Sequence, residues 1–166
     1  MSEFLIRRGV AGDVAPLNEL YNHYVRETPI TFDLEPISLA SKRTWFEQFG
    51  GEGRHQLFVA ERAGRVVGYA CSRPFREKAA YDTTAETSIY LAPEAQGQGL
   101  GRQLYGRLFS ALDGADLHRL VAGITLPNDA SLALHERAGF RAIGVLHQVG
   151  RKLGRYWDVL WMEREL

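Results

Sequence analysis

The 166-residue sequence predicts an α/β (α+β) domain, a mixed β-sheet of about six to seven strands flanked by about four helices. Three observations carry this expectation. A strand-like run, Thr87, Ser88, Ile89, Tyr90 and Leu91, meets a glycine-rich turn and then a helical stripe of Leu100, Leu104, Leu108 and Leu112, with Phe109 beside it. Two β-rich runs, one around Phe58 and one around Tyr69, are joined across Ala63 and Gly64 as a hairpin. Two further strands occupy the last third of the chain.

Taken in order, Phe4, Leu5 and Ile6 read as a short first strand. Asp13 is placed to cap a helix whose apolar face is Val14, Leu17, Leu20, Tyr21 and Tyr24, ending near Thr28 and Pro29. A second helix is expected from Ser38 to Phe49, before Gly50 and Gly51 break it. After the hairpin, the Thr87 strand and the leucine-striped helix, Val121 and Ile124 mark another strand. Pro127 and Asn128 then open a helix, with Asn128 as its cap, and Gly139 closes it. The final strands run from Phe140 to Val149 and from Tyr156 to Met162, separated by Gly150, Lys152 and Gly154. The element order is β-α-α-β-β-β-α-β-α-β-β, and no repeat or linker interrupts it.

A chain of this length with 45% hydrophobic residues can form one domain, residues 1–166, burying roughly 70% of its unfolded surface. Twenty basic residues balance twenty acidic ones, so no global field draws the protein to nucleic acid or to an anionic membrane. A small molecule or a protein is the expected partner. The single cysteine, Cys71, excludes an internal disulfide framework, and no charged-then-apolar leader is recognisable, so a cytoplasmic address is expected. His23, His55, His118, His135 and His147 are scattered without ligand spacing, and no metal site is expected.

The segment Gln96, Gly97, Gln98, Gly99, Leu100, Gly101, Arg102 carries the strongest chemical signal. Its alternating glycines let successive backbone N–H groups converge on an anion at the positive end of the following helix. A P-loop would need Gly-Lys-Ser/Thr where Leu100, Gly101 and Arg102 stand, and a dinucleotide fingerprint would need a glycine where Arg102 stands. Gln/Arg-x-x-Gly-x-Gly/Ala fits at every specified position. It resembles the pyrophosphate loop of the GNAT acetyltransferase superfamily.

The resemblance extends over nearly the full length and narrows to the phosphinothricin N-acetyltransferase group. It rests on Tyr81, Asp82, Thr84, Ala85, Glu86, Ser88 and Tyr90, on the glycine loop, and on Pro127, Asn128, Ser131, His135, Glu136, Gly139 and Phe140. Gly150, Lys152, Gly154, Trp157, Asp158 and Val159 continue it. It implies the GNAT fold, acetyl-coenzyme A as cosubstrate with the whole segment Gln96–Arg102 at its diphosphate, a homodimer, and no metal. It also implies that Glu86 is the general base for the acceptor amine, directly or through water. A glutamate in an apolar-flanked strand is desolvated, which moves its pKa toward useful values; an exposed carboxylate or one paired with arginine is the plainer reading of the same residue.

By the same resemblance, backbone groups at Ile89, Tyr90 and Leu91 bind the pantetheine arm and the developing oxyanion. Asn128 and Ser131 join the cofactor site, and His135 stands where relatives carry a tyrosine acid. It could protonate the leaving thiolate, orient the amine, or serve helix packing. Arg76, Lys78 and Tyr81 match the group's acceptor-binding residues, which favours a small acidic or highly polar amino acid such as phosphinothricin or methionine sulfoximine. Arginine and lysine are exchanged, and because they are not equivalent at a bidentate site the acceptor's identity stays open, with a solvated charged loop as the plainer reading. By the resemblance Phe32 is an apolar wall of that site; plain core is the equal alternative. Cys71 lies in an apolar strand without a neighbouring histidine, so direct transfer in a ternary complex is expected rather than an acyl-enzyme. Two other functions share these motifs: acetylation of a protein N-terminus, lysine or polyamine, and non-catalytic coenzyme A binding.

Overall fold

A computed structural model describes residues 3–166, and the order of elements follows the sequence. These are β1 (Leu5–Arg8), α1 (Val14–Glu27), α2 (Leu39–Phe46), β2 (Leu57–Arg62), β3 (Arg65–Pro74), β4 (Thr84–Leu91), α3 (Leu100–Leu112), β5 (Arg119–Thr125), α4 (Asp129–Arg137), β6 (Arg141–Lys152) and β7 (Arg155–Glu165). The seven strands form one sheet in the order β1-β2-β3-β4-β5-β7-β6. Among the described residues only β4 and β5 are parallel neighbours. Among the described residues no helix is long and apolar enough to cross a membrane.

Several local features have direct causes. The β2–β3 turn uses positive φ at Ala63 and Gly64 (51° and 77°), the geometry that matches strand twist in a tight hairpin. Asp13 does not cap α1 through its side chain; its carboxylate accepts from the Val10 N–H and pairs with Arg7 at 2.7 Å. The second helix is shorter than expected, because Ser38 caps it at one end and Phe46 closes it at the other. Gly150 and Lys152 belong to β6 rather than to the connection, which turns at Leu153 and Gly154.

The leucine stripe packs α3 on the sheet: Leu100, Leu104, Leu108 and Leu112 are each at most 1% exposed. Each such burial contributes roughly 2 kcal/mol. They share a core with Phe58, Ala60, Val67, Ala85, Leu120, Ile124 and Met162. The opposite face of the sheet carries Leu57, Val59, Tyr69 and Cys71, covered by Leu17 of α1 and by Trp45 and Phe46 of α2.

The consequential irregularity lies between β4 and β5. Their register holds for three pairs, Thr84↔Arg119, Ala85↔Leu120 and Glu86↔Val121, and then stops. From Thr87 to Leu91, β4 keeps only its β3 neighbour. The sheet therefore opens beside the second half of β4.

Candidate active site

The gap exposes particular backbone groups. The Ala92 N–H donates to Val67 O at 2.8 Å, so alternation along the antiparallel ladder turns Tyr90 toward β3 and leaves Ile89 and Leu91 facing the opening. The Tyr90 amide is thus not a free donor, which narrows the sequence expectation to Ile89 and Leu91. The Tyr24 hydroxyl donates to Leu91 O and accepts from Gln96 Nε2 at 3.0 Å, tying α1 to the glycine loop.

A cleft of about 890 Å³ opens from this gap. Its lining includes Ile89, Leu91, Gln96, Gly97, Gly99, Leu100, Gly101, Arg102, Asn128 and Ser131, and also Tyr24 and Ile30 from the α1 side. Gly97 and Gly99 take φ of 71° and 77°, which a side chain would strain. The first N–H groups of α3 have no intrahelical partner and sit at its positive end. Of the expected cofactor residues, Gln98 turns away: its amide donates to Glu94 O at 2.7 Å and its oxygen accepts from Arg62 at 3.0 Å. Asn128 Oδ1 accepts from the Ser131 N–H at 3.2 Å, so it caps α4 while lining the cleft.

Glu86, Ser88 and Tyr90 alternate onto the α1 face of β4. Directly opposite Glu86 in the register stands Arg73, with Nη2 4.0 Å from Oε1. Burial raises the Glu86 carboxyl above its usual range, and Arg73 only partly offsets this. Around them stand Tyr21, Tyr69 and Tyr90, ring against ring at 5.4 Å. Arg73 is the basic residue that the structure sets beside Glu86. Arg76, Lys78 and Tyr81 lie beyond the end of β3 and are exposed, with the Arg76 guanidinium over the rings of Phe75 (4.9 Å) and Tyr81 (5.8 Å). The strand period would have found Arg73, since Tyr69, Cys71 and Arg73 share one face.

Phe32 is placed by contact with β6. A Cβ at Gly150 would collide with its ring, and Lys152 Nζ donates to Thr31 O at 2.7 Å. The Asp158 carboxylate in turn accepts from the Gln148 N–H at 2.7 Å, and Trp157 Nε1 donates to Lys152 O at 2.9 Å. Gly150 and Lys152 of the C-terminal motif therefore brace the Phe32 loop, and Trp157 and Asp158 fasten the part of β6 that carries them.

His135 is 3% exposed and both its ring nitrogens are engaged. Nδ1 lies 2.8 Å from Ser131 O, which can only accept, so Nδ1 carries the proton; Nε2 then accepts from the Tyr105 hydroxyl at 2.8 Å. Burial holds the ring neutral. This leaves no proton for a thiolate, and the acid reading of His135 gives way to a positioning one, because Tyr105, not His135, lines the cleft. His135→Ala is expected to lower kcat by less than about tenfold while lowering Tm, since an unpaired buried hydroxyl costs about 1–3 kcal/mol. A loss above about 100-fold at unchanged Tm would restore the acid.

Cys71 is fully buried and its thiol is pushed up to about 11, so it carries no thiolate at neutral pH. Lys42 was not anticipated. It is 2% exposed, and its ammonium lies over Trp45 (3.8 Å) and Tyr21 (4.4 Å). Burial pulls its pKa from 10.5 down to about 8, so the unfolded chain binds more protons across that window and stability rises with pH there. Measured by urea unfolding, the parent should gain up to roughly 3 kcal/mol relative to Lys42→Met across the window. A flat difference would mean that the rings hold the charge without cost.

With this geometry in place, comparison with known proteins defines the class. The description "Acetyltransferase (GNAT) family" matches residues 17–140, and the chain belongs to that family and is an acyltransferase. It is 52% identical over 99% of its length to a phosphinothricin N-acetyltransferase of Streptomyces coelicolor, 98% of which is covered. It is 35% identical over its full length to an L-methionine sulfoximine/L-methionine sulfone acetyltransferase of Pseudomonas aeruginosa, with 96% of that protein covered. Two solved structures are similar over nearly the whole chain. One is a phosphinothricin acetyltransferase from Sinorhizobium meliloti in complex with acetyl-coenzyme A (TM-score 0.93, 34% identity, 100% of this chain and 89% of that one). The other is a ribosomal-protein-alanine N-acetyltransferase from Brucella melitensis (TM-score 0.90, 37% identity, 98% and 99%).

Proposed function

We propose that the protein transfers acetyl from acetyl-coenzyme A to the α-amine of a small polar or acidic amino acid or analogue, of the phosphinothricin or methionine sulfoximine kind. The observation that carries this is the desolvated Glu86 carboxylate beside Arg73, on the far side of the gap from the diphosphate loop. Acetyl-coenzyme A is the cosubstrate: its diphosphate takes the N–H groups from Gly97 to Arg102, and its pantetheine arm pairs with the free edge of β4. The thioester then reaches through the sheet to the Glu86 face. Glu86 takes the ammonium proton, directly or through water, and the neutral amine attacks the carbonyl carbon. The Ile89 and Leu91 N–H groups offer fixed donors to the oxyanion; losing one such donor typically costs roughly 3 kcal/mol. The adduct then collapses: the C–S bond breaks, coenzyme A leaves as a thiolate of low basicity, and the second amine proton passes to that thiolate through solvent, so that neutral amide and thiol result. Tyr105, held by His135, walls the passage.

Arg73 supplies a fork for the acceptor's carboxylate, with Arg76, Lys78 and Tyr81 at the rim and Phe32 as the apolar side. A protein N-terminus is the second reading, favoured by the likeness to the Brucella melitensis enzyme. Initial rates with free amino acids and with a peptide amine separate the two. We also infer a homodimer, supported by the exposed Ile143, Leu146, Val149 and Tyr156 on β6 and β7, and light scattering on the purified protein tests it. Trp157 and Trp161 are partly buried, so Tyr156 is the member of the aromatic trio available for that contact.

A further inference from the structure

Arg137, at the end of α4, and Arg164, on β7, line the cofactor cleft. They also line a second cleft of about 570 Å³ together with Arg119, Arg141, Glu163 and Glu165. The charges there do not cancel. Arg141 pairs with Glu163 at 2.7 Å and Arg119 with Glu165 at 3.9 Å, which occupies both carboxylates. Among the described residues neither Arg137 nor Arg164 forms an ion pair. Arg164 is held in place, with Nη1 donating to Ala138 O at 2.6 Å and the guanidinium 4.2 Å from the Phe109 ring centre.

The position of this surplus charge matters as much as its sign. The cofactor cleft is continuous from the glycine loop along the groove between α3 and α4, past Gly106 and Ala133, to Phe109, Arg137 and Arg164. From Gly101 to Phe109 the helix advances roughly 12 Å. Helical side chains lean toward the N-terminus, so Arg137 covers the turn nearer the loop. A ligand with its diphosphate on α3 and a further phosphate one nucleoside away would bring that phosphate to this end of the groove. Coenzyme A has this layout, with a phosphate on the 3′-oxygen of its adenosine ribose.

We propose that Arg137 and Arg164 seat the ribose 3′-phosphate of coenzyme A, so that the protein distinguishes coenzyme A from its 3′-dephospho form. The proposal rests on the cofactor reading above and is independent of the acceptor. Arginine suits the task because its planar fork gives two hydrogen bonds to a phosphate and stays charged when partly desolvated.

The test is calorimetric titration of the parent, Arg137→Ala, Arg137→Lys and Arg164→Met with coenzyme A and, separately, with 3′-dephospho-coenzyme A, without acceptor. The parent should favour coenzyme A by roughly tenfold or more, the discrimination typical of a charge-assisted contact. Arg137→Ala should lose most of that ratio by weakening coenzyme A alone, and Arg137→Lys should recover part of it. If Arg164→Met unfolds, the Arg137 pair still decides. Equal affinity of the parent for both ligands, or equal weakening of both by Arg137→Ala, overturns the assignment. Failure of both ligands to bind the parent would instead overturn the cofactor reading.

Discussion

Glu86→Gln should lower kcat about 100-fold or more, the usual worth of a general base, while KM for acetyl-coenzyme A stays near the parent value. The substitution keeps shape and removes the proton acceptor, so the effect should appear in turnover rather than in folding. The sign of the stability change separates the two. Burial raises the folded-state pKa of Glu86, so its stabilising contribution is present below the unfolded carboxylate pKa and is lost as pH rises through the folded value. At neutral pH the charged carboxylate stabilises nothing, and Glu86→Gln should leave Tm unchanged or raise it. In the parent, kcat/KM should fall on the acid side at a pKa above the ordinary carboxylate range; the variant should lack that limb. A loss of only a few-fold at all pH values would remove Glu86 from the role of base.

Gly99→Val should raise the Kd for coenzyme A about 100-fold, equivalent to roughly 3 kcal/mol. Two effects combine. Gly99 has φ of 77°, a conformation that costs an L-residue roughly 1–2 kcal/mol and a β-branched one more. The new methyl groups would also stand where the diphosphate approaches the α3 amides. Gly114, just past the other end of α3, has the same φ of 77° but lies outside the cofactor cleft. Gly114→Val should therefore lower Tm about as much as Gly99→Val does and leave Kd unchanged, so the pair isolates the ligand from the strain. An unchanged Kd in Gly99→Val would displace the cofactor from the loop.

What the sequence revealed was what depends on near neighbours. The leucine stripe, the hairpin at Ala63 and Gly64, the Asn128 cap and the glycine loop are periodic or local signals, and each has its structural counterpart. The opening between β4 and β5 is non-local: no residue from Thr87 to Leu91 announces that its ladder partner is missing, and the place of β7 between β5 and β6 is equally silent. The acceptor side was the least legible. Arg73 lies at the end of a strand next to Arg76 and Lys78, and only the register, a non-local property, sets it opposite Glu86. Lys42 gave no signal, since its burial depends on rings from α1, α2 and β3 that meet only in the fold. The C-terminal motif bears no local sign of its purpose, because Gly150 and Lys152 meet Phe32 and Thr31 only once the chain is folded.

The central step proposed is passage of an acetyl group through the sheet to an amino-acid amine beside Glu86. Mass spectrometry of reactions with acetyl-coenzyme A and a panel of free α-amino acids, phosphinothricin and methionine sulfoximine tests this most directly. N-acetylated product from at least one acidic or strongly polar member, abolished to near background by Glu86→Gln, is the result expected. Coenzyme A binding without acetylation of any panel member, or product formed equally well by the variant, would contradict it.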